Sequence, residues 1–120
     1  MLFRSLWNDE QEAAFSRITE FVSEQGAVPG IQLGHAGRKA SHMRPWEDRK
    51  PIPPEEGGWE IVAPSPLPLA KSDIVPTELS QDEIAGIVKR YGDSAARALR
   101  AGFKIVEIHA AHGYLLHSFL

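Results

Sequence analysis

The stretch GFKIVEIHAAHGYLLH, Gly102 to His117, decides how the rest of the chain reads. Gly102 ends a helical pattern, and KIVEIH then reads as a short apolar strand. Side chains alternate along a strand, so Ile105, Glu107 and His109 share one face. An acid and an imidazole on that face are costly to bury unless they are partnered. The strand runs out at His109 into the turn AAHGY, and GYLLHSFL reads as the start of a third helix.

Working back from Gly102, Ile84, Ile87, Val88, Tyr91, Ala95, Ala98 and Leu99 form one apolar stripe at helical spacing. Ser80-Gln81-Asp82-Glu83 fits a capping box that opens this helix. Gly92 lies inside it at a cost of about 1 kcal/mol relative to alanine. Further upstream, AVPGIQLG is short, apolar and flanked by Pro and Gly, which predicts a buried strand. Alternation puts Ile31 and Leu33 on one face, and Gly30, Gln32 and Gly34 on the other. A buried Gln32 needs a hydrogen-bond partner, and nothing nearby in sequence supplies one. A first helix is expected from about Asp9 to Gln25, capped by Asn8 or Asp9 and ended by Gly26.

Between the first strand and the second helix the periodicity is lost. Pro45, Pro51, Pro53, Pro54, Pro64, Pro66, Pro68 and Pro76 fall between His35 and Thr77, eight of the nine prolines in the chain. A loop this long in a compact domain is functional or disordered. Trp46, Trp59 and the aliphatic residues around Val62 argue for order, with the tryptophans as loop anchors. The loop therefore reads as an ordered excursion over the mouth of a site.

The resulting order is helix, strand, long loop, helix, strand, helix. Strands that alternate with helices imply βαβ units and a parallel sheet, an α/β fold. Parallel strands need neighbours on both sides, which two strands cannot provide. The chain is expected either to pair with other copies or to form part of a larger protein.

The 120 residues are 42% hydrophobic and 24% charged, with net charge −3. That balance argues against a nucleic-acid or anionic-membrane partner. The chain has no cysteine, which removes a disulfide framework, a thiolate nucleophile and a Cys-type zinc site. No apolar run approaches the roughly 20 residues that span a bilayer. MLFRSLWNDE lacks the apolar core of a signal peptide, so a cytoplasmic location is the default expectation.

Active sites of parallel α/β folds gather where strands end. Here one strand end leads into GHAGRKA and the other into AAHGY. His109 and His112 can aim two N–H donors at one carbonyl oxygen, as an oxyanion hole does. Tyr114 can donate a proton to carbon. The plainer readings make these residues structural. His35, His42 and His117 take the structural or solvated reading, and Arg38-Lys39 and Glu47-Asp48-Arg49-Lys50 read as solvated faces. A zinc site from His109, His112 and His117 is disfavoured because the spacing is not His-Glu-x-x-His on a helix. No Gly-x-Gly-x-x-Gly or Walker-type loop is present.

IQLGHAGRKA, Ile31 to Ala40, taken with GFKIVEIHAAHGYLLHSFL, Gly102 to Leu120, resembles the old yellow enzyme family of flavin-dependent ene-reductases. LWNDEQ fits as well. RPWE (Arg44–Glu47), GWE (Gly58–Glu60) and APSPL (Ala63–Leu67) resemble the bacterial xenobiotic-reductase branch. The likeness covers nearly the whole chain from Trp7 onward. Gly34 departs from it, since alanine is the residue expected there.

The resemblance implies that residues 1–120 are a fragment of one FMN-binding (β/α)₈ TIM-barrel domain. They would cover roughly the third and fourth βα units, with the long loop inserted. It implies an oxidoreductase in which NADPH or NADH reduces FMN and the hydride passes to an activated alkene, an enone or nitro compound. Residue by residue, Gln32 would be cofactor-binding, at the pyrimidine edge of the flavin. His109 and His112 would bind the substrate oxygen, and Tyr114 would be the catalytic proton donor, with no metal involved. The loop from His42 to Pro76 would shape the entrance. A homo-oligomeric full-length protein is compatible with this reading. MLFRSL does not match what precedes LWNDEQ in the family, so Met1 is expected to be an internal start or a truncation point. The isolated chain is then expected to be inactive. The alternatives are a relative acting on dienoyl thioesters or amines, or a non-catalytic remnant without flavin.

Overall fold

The computed structural model describes residues 6–48 and 50–120. Residues 1–5, which hold most of the MLFRSL segment, and Arg49 of the charged run lie outside the described residues. Two units can be distinguished. One contains the chain up to Leu33 together with Asp82–Ile108, and the other contains Gly34–Gln81 with His109–Leu120.

The first unit is built on helix α1 (Asp9–Glu24) and helix α2 (Gln81–Arg100). Asn8 caps α1 with an extended backbone, and its side chain accepts from the Gln11 N–H at 2.8 Å. Gln11 Oε1 in turn accepts from the Trp7 N–H at 3.0 Å, so the helix start satisfies its own donors. Asp9, Glu10 and Glu12 add acids to the first turn, where the dipole favours them. α1 ends at Gly26, with φ +78°. Its N–H donates to Ser23 O at 2.9 Å and the Ala27 N–H donates to Val22 O at 3.2 Å. This is a Schellman stop. α2 ends in the same way, with Gly102 at φ +95° and the Phe103 N–H on Ala98 O at 3.0 Å.

The strands of this unit are β1 (Gly30–Leu33) and β4 (Ile105–Ile108), which pair in parallel. The register sets Gly30 opposite Ile105, Ile31 opposite Val106, Gln32 opposite Glu107 and Leu33 opposite Ile108. The alternation inferred above is therefore real. Ile31 and Val106 pack onto a core of Leu6, Ala98, Ala101 and Phe103, with Phe15 alongside. The Phe15 and Phe103 rings meet edge to face, centroids 5.6 Å apart, a favoured aromatic geometry. Thr19, buried on α1, donates to Ala101 O at the end of α2. A Cβ on Gly102 would lie 2.7 Å from Thr19 Oγ1. Glycine is thus needed there for space as well as for its positive φ.

Two ion-pair sets join the helices. Arg97 reaches Asp9 at 2.6 Å and Glu12 at 2.9 Å, and Arg100 reaches Glu12 at 2.9 Å. The hydrogen bond from Arg97 holds the Asp9 carboxyl below its ordinary value, and the bond from Arg100 does the same for Glu12.

As expected of two parallel strands without further neighbours, β1 and β4 are not fully buried among the described residues. Only one face is covered. On the other face Gln32, Glu107 and Ile105 are exposed, Ile105 by 56%. Among the described residues each of these two strands has one partner. The physical reason is that helices alone supply the covering layer, and they sit on one face.

The second unit carries the long loop, and it is ordered. Strands β2 (Val62–Ala63) and β3 (Thr77–Glu78) pair in parallel within it. No periodicity in the sequence announced them, because two residues are too short to show one. Ser41, buried at φ +54°, is the node of the loop. Its Oγ donates to Ile52 O at 2.6 Å and accepts from the Trp59 N–H at 3.1 Å. A Cβ on Gly58 would fall 2.0 Å from Ile52 O, so the chain closes there only with glycine. Ile61, Ala63, Leu79 and Leu115 are buried. The tryptophans do not anchor the loop: Trp46 is 76% and Trp59 55% exposed. Small residues and aliphatics hold it instead, since only they fit against the close backbone approaches at Ser41 and Gly58.

The third helix is also absent. Residues 112–116 form turns and a bend, followed by a 3₁₀ turn at His117–Phe119. The Ser118 N–H reaches Tyr114 O at 3.0 Å, but the next bonds, Phe119 to Leu116 and Leu120 to His117, span three residues.

Candidate active site

The loop after β1 and the turn after β4 both belong to the second unit, and they lock together. Gly37 opens a 3₁₀ turn, Gly37–Lys39, at φ +56°. A Cβ there would lie 2.9 Å from the backbone N and Cα of Leu115. The Leu115 N–H donates to His35 O at 3.0 Å. Two backbones therefore touch, which only glycine permits.

The turn itself is Ala111–Tyr114. His112 at φ +57° and Gly113 at φ +71° are consecutive left-handed residues, and the Tyr114 N–H donates to Ala111 O at 3.2 Å. That is the φ pattern of a type I′ turn, for which Gly113 is suited and His112 is not. The turn brings three of the sequence-predicted site residues together. The His109 and His112 rings lie 5.2 Å apart at 86°, and His109 and Tyr114 lie 4.7 Å apart at 83°. His109 and Tyr114 are half-buried, while His112 is exposed.

His109 has a defined hydrogen-bond polarity. Its Nδ1 accepts from the Ala111 N–H at 3.2 Å. A ring nitrogen that accepts carries no proton, so in the neutral ring Nε2 is the donor. Gly34 stands close behind: a Cβ on it would meet His109 Cβ at 3.3 Å. His117 Nδ1 likewise accepts from the Gly113 N–H at 2.7 Å, and His42 Nδ1 bonds Ala40 O at 2.7 Å. His35 Nδ1 accepts from the Gly37 N–H at 3.1 Å. These three bond the backbone. Among the described residues no three His, Asp or Glu side chains converge as metal ligands.

Gln32 lies in the first unit. Its Nε2 donates to Glu107 Oε1 at 2.9 Å, across the β1–β4 register. Glu107 is the partner that the local sequence did not reveal, 75 positions away. A carboxamide has two donors and one acceptor, so this bond leaves it able to engage a flat polar edge.

Sequence reasoning missed Lys39. Read as part of a solvated face, it instead donates from Nζ to His112 O at 2.6 Å and sits 5.6 Å from the Tyr114 ring centroid. No local signal marks it, because its partners lie more than seventy residues downstream.

Among the described residues, no helix is long and apolar enough to cross a membrane. Residues 3–120 match the model of the NADH:flavin oxidoreductase / NADH oxidase family. An NADH:flavin oxidoreductase of Gibberella zeae is 46% identical over 119 residues, 96% of this chain and 29% of that protein. An NADPH dehydrogenase of Bacillus subtilis is 43% identical over 115 residues, 96% of this chain and 30% of its own length. The chain thus spans about 30% of the length of the curated relatives it matches. Among solved structures, morphinone reductase superposes with TM-score 0.74 at 33% identity, over 92% of this chain and 31% of its own. The old yellow enzyme homologue from Zymomonas mobilis gives TM-score 0.71 at 33% identity, over 92% and 30%. The family model covers nearly the whole chain, the backbone is shared with an old yellow enzyme homologue, and the chain belongs to the NADH:flavin oxidoreductase / NADH oxidase family.

Proposed function

We propose that these residues form part of the mouth of an FMN-binding (β/α)₈ barrel that reduces activated C=C bonds at the expense of NADPH or NADH. In that reading β1 and β4 with their helices are the third and fourth βα units of a single domain. The observation that carries the proposal is the His109–His112–Tyr114 cluster, with His109 Nδ1 tied to the Ala111 N–H and its Nε2 left as the donor.

The residues suit a bound flavin. Gln32 offers a carboxamide on the open strand face, beside Gly30, which has no side chain to obstruct a ring. When bound, FMN supplies the hydride that adds to the β-carbon of the alkene. His109 and His112 hold the carbonyl or nitro oxygen of the substrate. As the π electrons move toward that oxygen and the α-carbon, the two N–H donors stabilise the growing negative charge. Tyr114 transfers its phenolic proton to the α-carbon and recovers one from solvent, so one hydride and one proton account for the saturated product.

The test uses the intact protein. His109→Ala should weaken a phenolic or enone ligand by about tenfold or more while leaving FMN content unchanged. Tyr114→Phe should slow alkene reduction by about 10² or more with flavin reduction by the nicotinamide nearly unaltered. Equal loss of ligand and FMN in the first variant, or of both half-reactions in the second, would show that the roles are wrongly assigned.

A further inference from the structure

We propose that Lys39 is a positioning residue that holds the His112–Tyr114 turn in its working conformation. The idea rests on the site reading above for its catalytic consequence, but its structural claim stands alone.

The turn contains a built-in conflict. His112 adopts φ +57°, a left-handed backbone that disfavours a side chain bearing Cβ. Left-handed histidine persists only where its surroundings over-determine it. Three backbone-level contacts help: Tyr114 N–H to Ala111 O at 3.2 Å, Leu115 N–H to His35 O at 3.0 Å, and Gly113 N–H to His117 Nδ1 at 2.7 Å. The last of these holds the N–H end of the His112–Gly113 peptide, and none of them touches its carbonyl end.

Lys39 makes that contact. Its ammonium donates to His112 O at 2.6 Å, a short charge-assisted bond. The same side chain passes under the turn at Gly113, where an added Cβ would meet Lys39 Cε and Nζ at 3.3 Å. The charge also lies 5.6 Å from the Tyr114 ring centroid, within reach of the ring face. One side chain thus contacts the residues on both sides of the glycine. Lys39 itself is carried by the 3₁₀ turn Gly37–Lys39, which is braced against Leu115 by the close approach at Gly37. The cation therefore comes from a braced support and pins the peptide that joins one substrate-binding histidine to the proton donor.

Without the ammonium, the carbonyl end of the His112–Gly113 peptide is unheld, and the plane can tilt about ψ of His112 and φ of Gly113 with only the Gly113 N–H bond to His117 left on it. The imidazole of His112 and the phenol of Tyr114 then lose their common orientation toward one ligand. His109 keeps its own tether to Ala111, which Lys39 does not touch.

Lys39→Met preserves the length of the side chain and removes the charge and the donors. In the intact holoenzyme we expect para-hydroxybenzaldehyde to bind about tenfold more weakly and alkene reduction to slow about tenfold. FMN content and the rate of flavin reduction by the nicotinamide should stay within about twofold. Lys39→Arg, which restores a cationic donor, should recover most of the loss. A merely structural residue would instead lower FMN content and both half-reactions together, and that result overturns the proposal. So does a Met variant with unchanged ligand affinity, or an Arg variant no better than Met. A crystal structure of Lys39→Met decides the structural claim even if the parent protein proves to hold no flavin. A displaced His112 carbonyl supports the pin. A turn superimposable on the parent, with His112 still left-handed, overturns it.

Discussion

Tyr91 buries its hydroxyl among the described residues of α2 without a hydrogen-bond partner. Burial also raises its pKa, the expected response of a phenol that is poorly solvated when ionised. An unsatisfied buried hydroxyl carries a desolvation cost with no return. Tyr91→Phe should therefore leave stability unchanged or raise it by up to about 1 kcal/mol, measured as the urea midpoint of the intact protein. A loss of more than about 1 kcal/mol would reveal a partner for that oxygen. The catalytic candidates behave differently at this scale. His109 and Tyr114 were legible from the strand end and the resemblance, because chemistry at strand ends depends on residue type and spacing. Lys39 and Glu107 were not, because each matters only through a partner more than seventy residues away along the chain.

At the scale of elements, α1 and α2 were readable almost to their ends. Their caps and stop glycines are local signals, and Gly26 and Gly102 do close them. What ties the helices together is partly electrostatic, and it gives a pH dependence. Asp9 and Glu12 both have carboxyls held below their ordinary values by the arginines of α2. A lowered acid stabilises the fold fully above its ordinary value, 3.8 for Asp9 and 4.5 for Glu12. That contribution is lost as pH falls through the lowered values, since the folded state must then take up protons it resists. Glu12→Gln should therefore destabilise the protein at neutral pH and flatten the acid limb of its stability profile, read by urea midpoints between about pH 7 and 3. An acid limb as steep as that of the parent would show that the clamp contributes nothing. The long loop was legible only as an ordered segment. Its two-residue strands and its node at Ser41 and Gly58 depend on tertiary contacts, so no pattern in the sequence announced them.

For the whole molecule, the decisive observation is how much apolar surface the described residues leave open. Ile105 and Ile108 on β4, Ile18 and Phe21 on α1, and Val88 and Leu99 on α2 are all exposed. Each of the paired strands also keeps a free edge, and an unpaired edge next to exposed aliphatics favours association. Expressed by itself, the 120-residue chain should therefore bind no stoichiometric FMN and should associate rather than run as a monomer. Ultracentrifugation and the flavin absorbance of the purified chain check this. A monodisperse yellow monomer would contradict it.

The sequence by itself determined the α/β class, the two helices, the two strands and which residues of each strand share a face. It also determined the family, through motifs long enough to be specific. Those features follow from short-range periodicity, capping chemistry and residue type, all of which operate within a few positions along the chain. The tertiary structure alone decided the rest. It paired Gln32 with Glu107, covered one strand face and left the other open, replaced the expected third helix by turns and a 3₁₀ turn, and put Lys39 beneath the left-handed turn at His112–Gly113. Each of these is a contact between distant residues, or a backbone conformation that only such contacts sustain. Local sequence carries no record of the partner that makes it favourable.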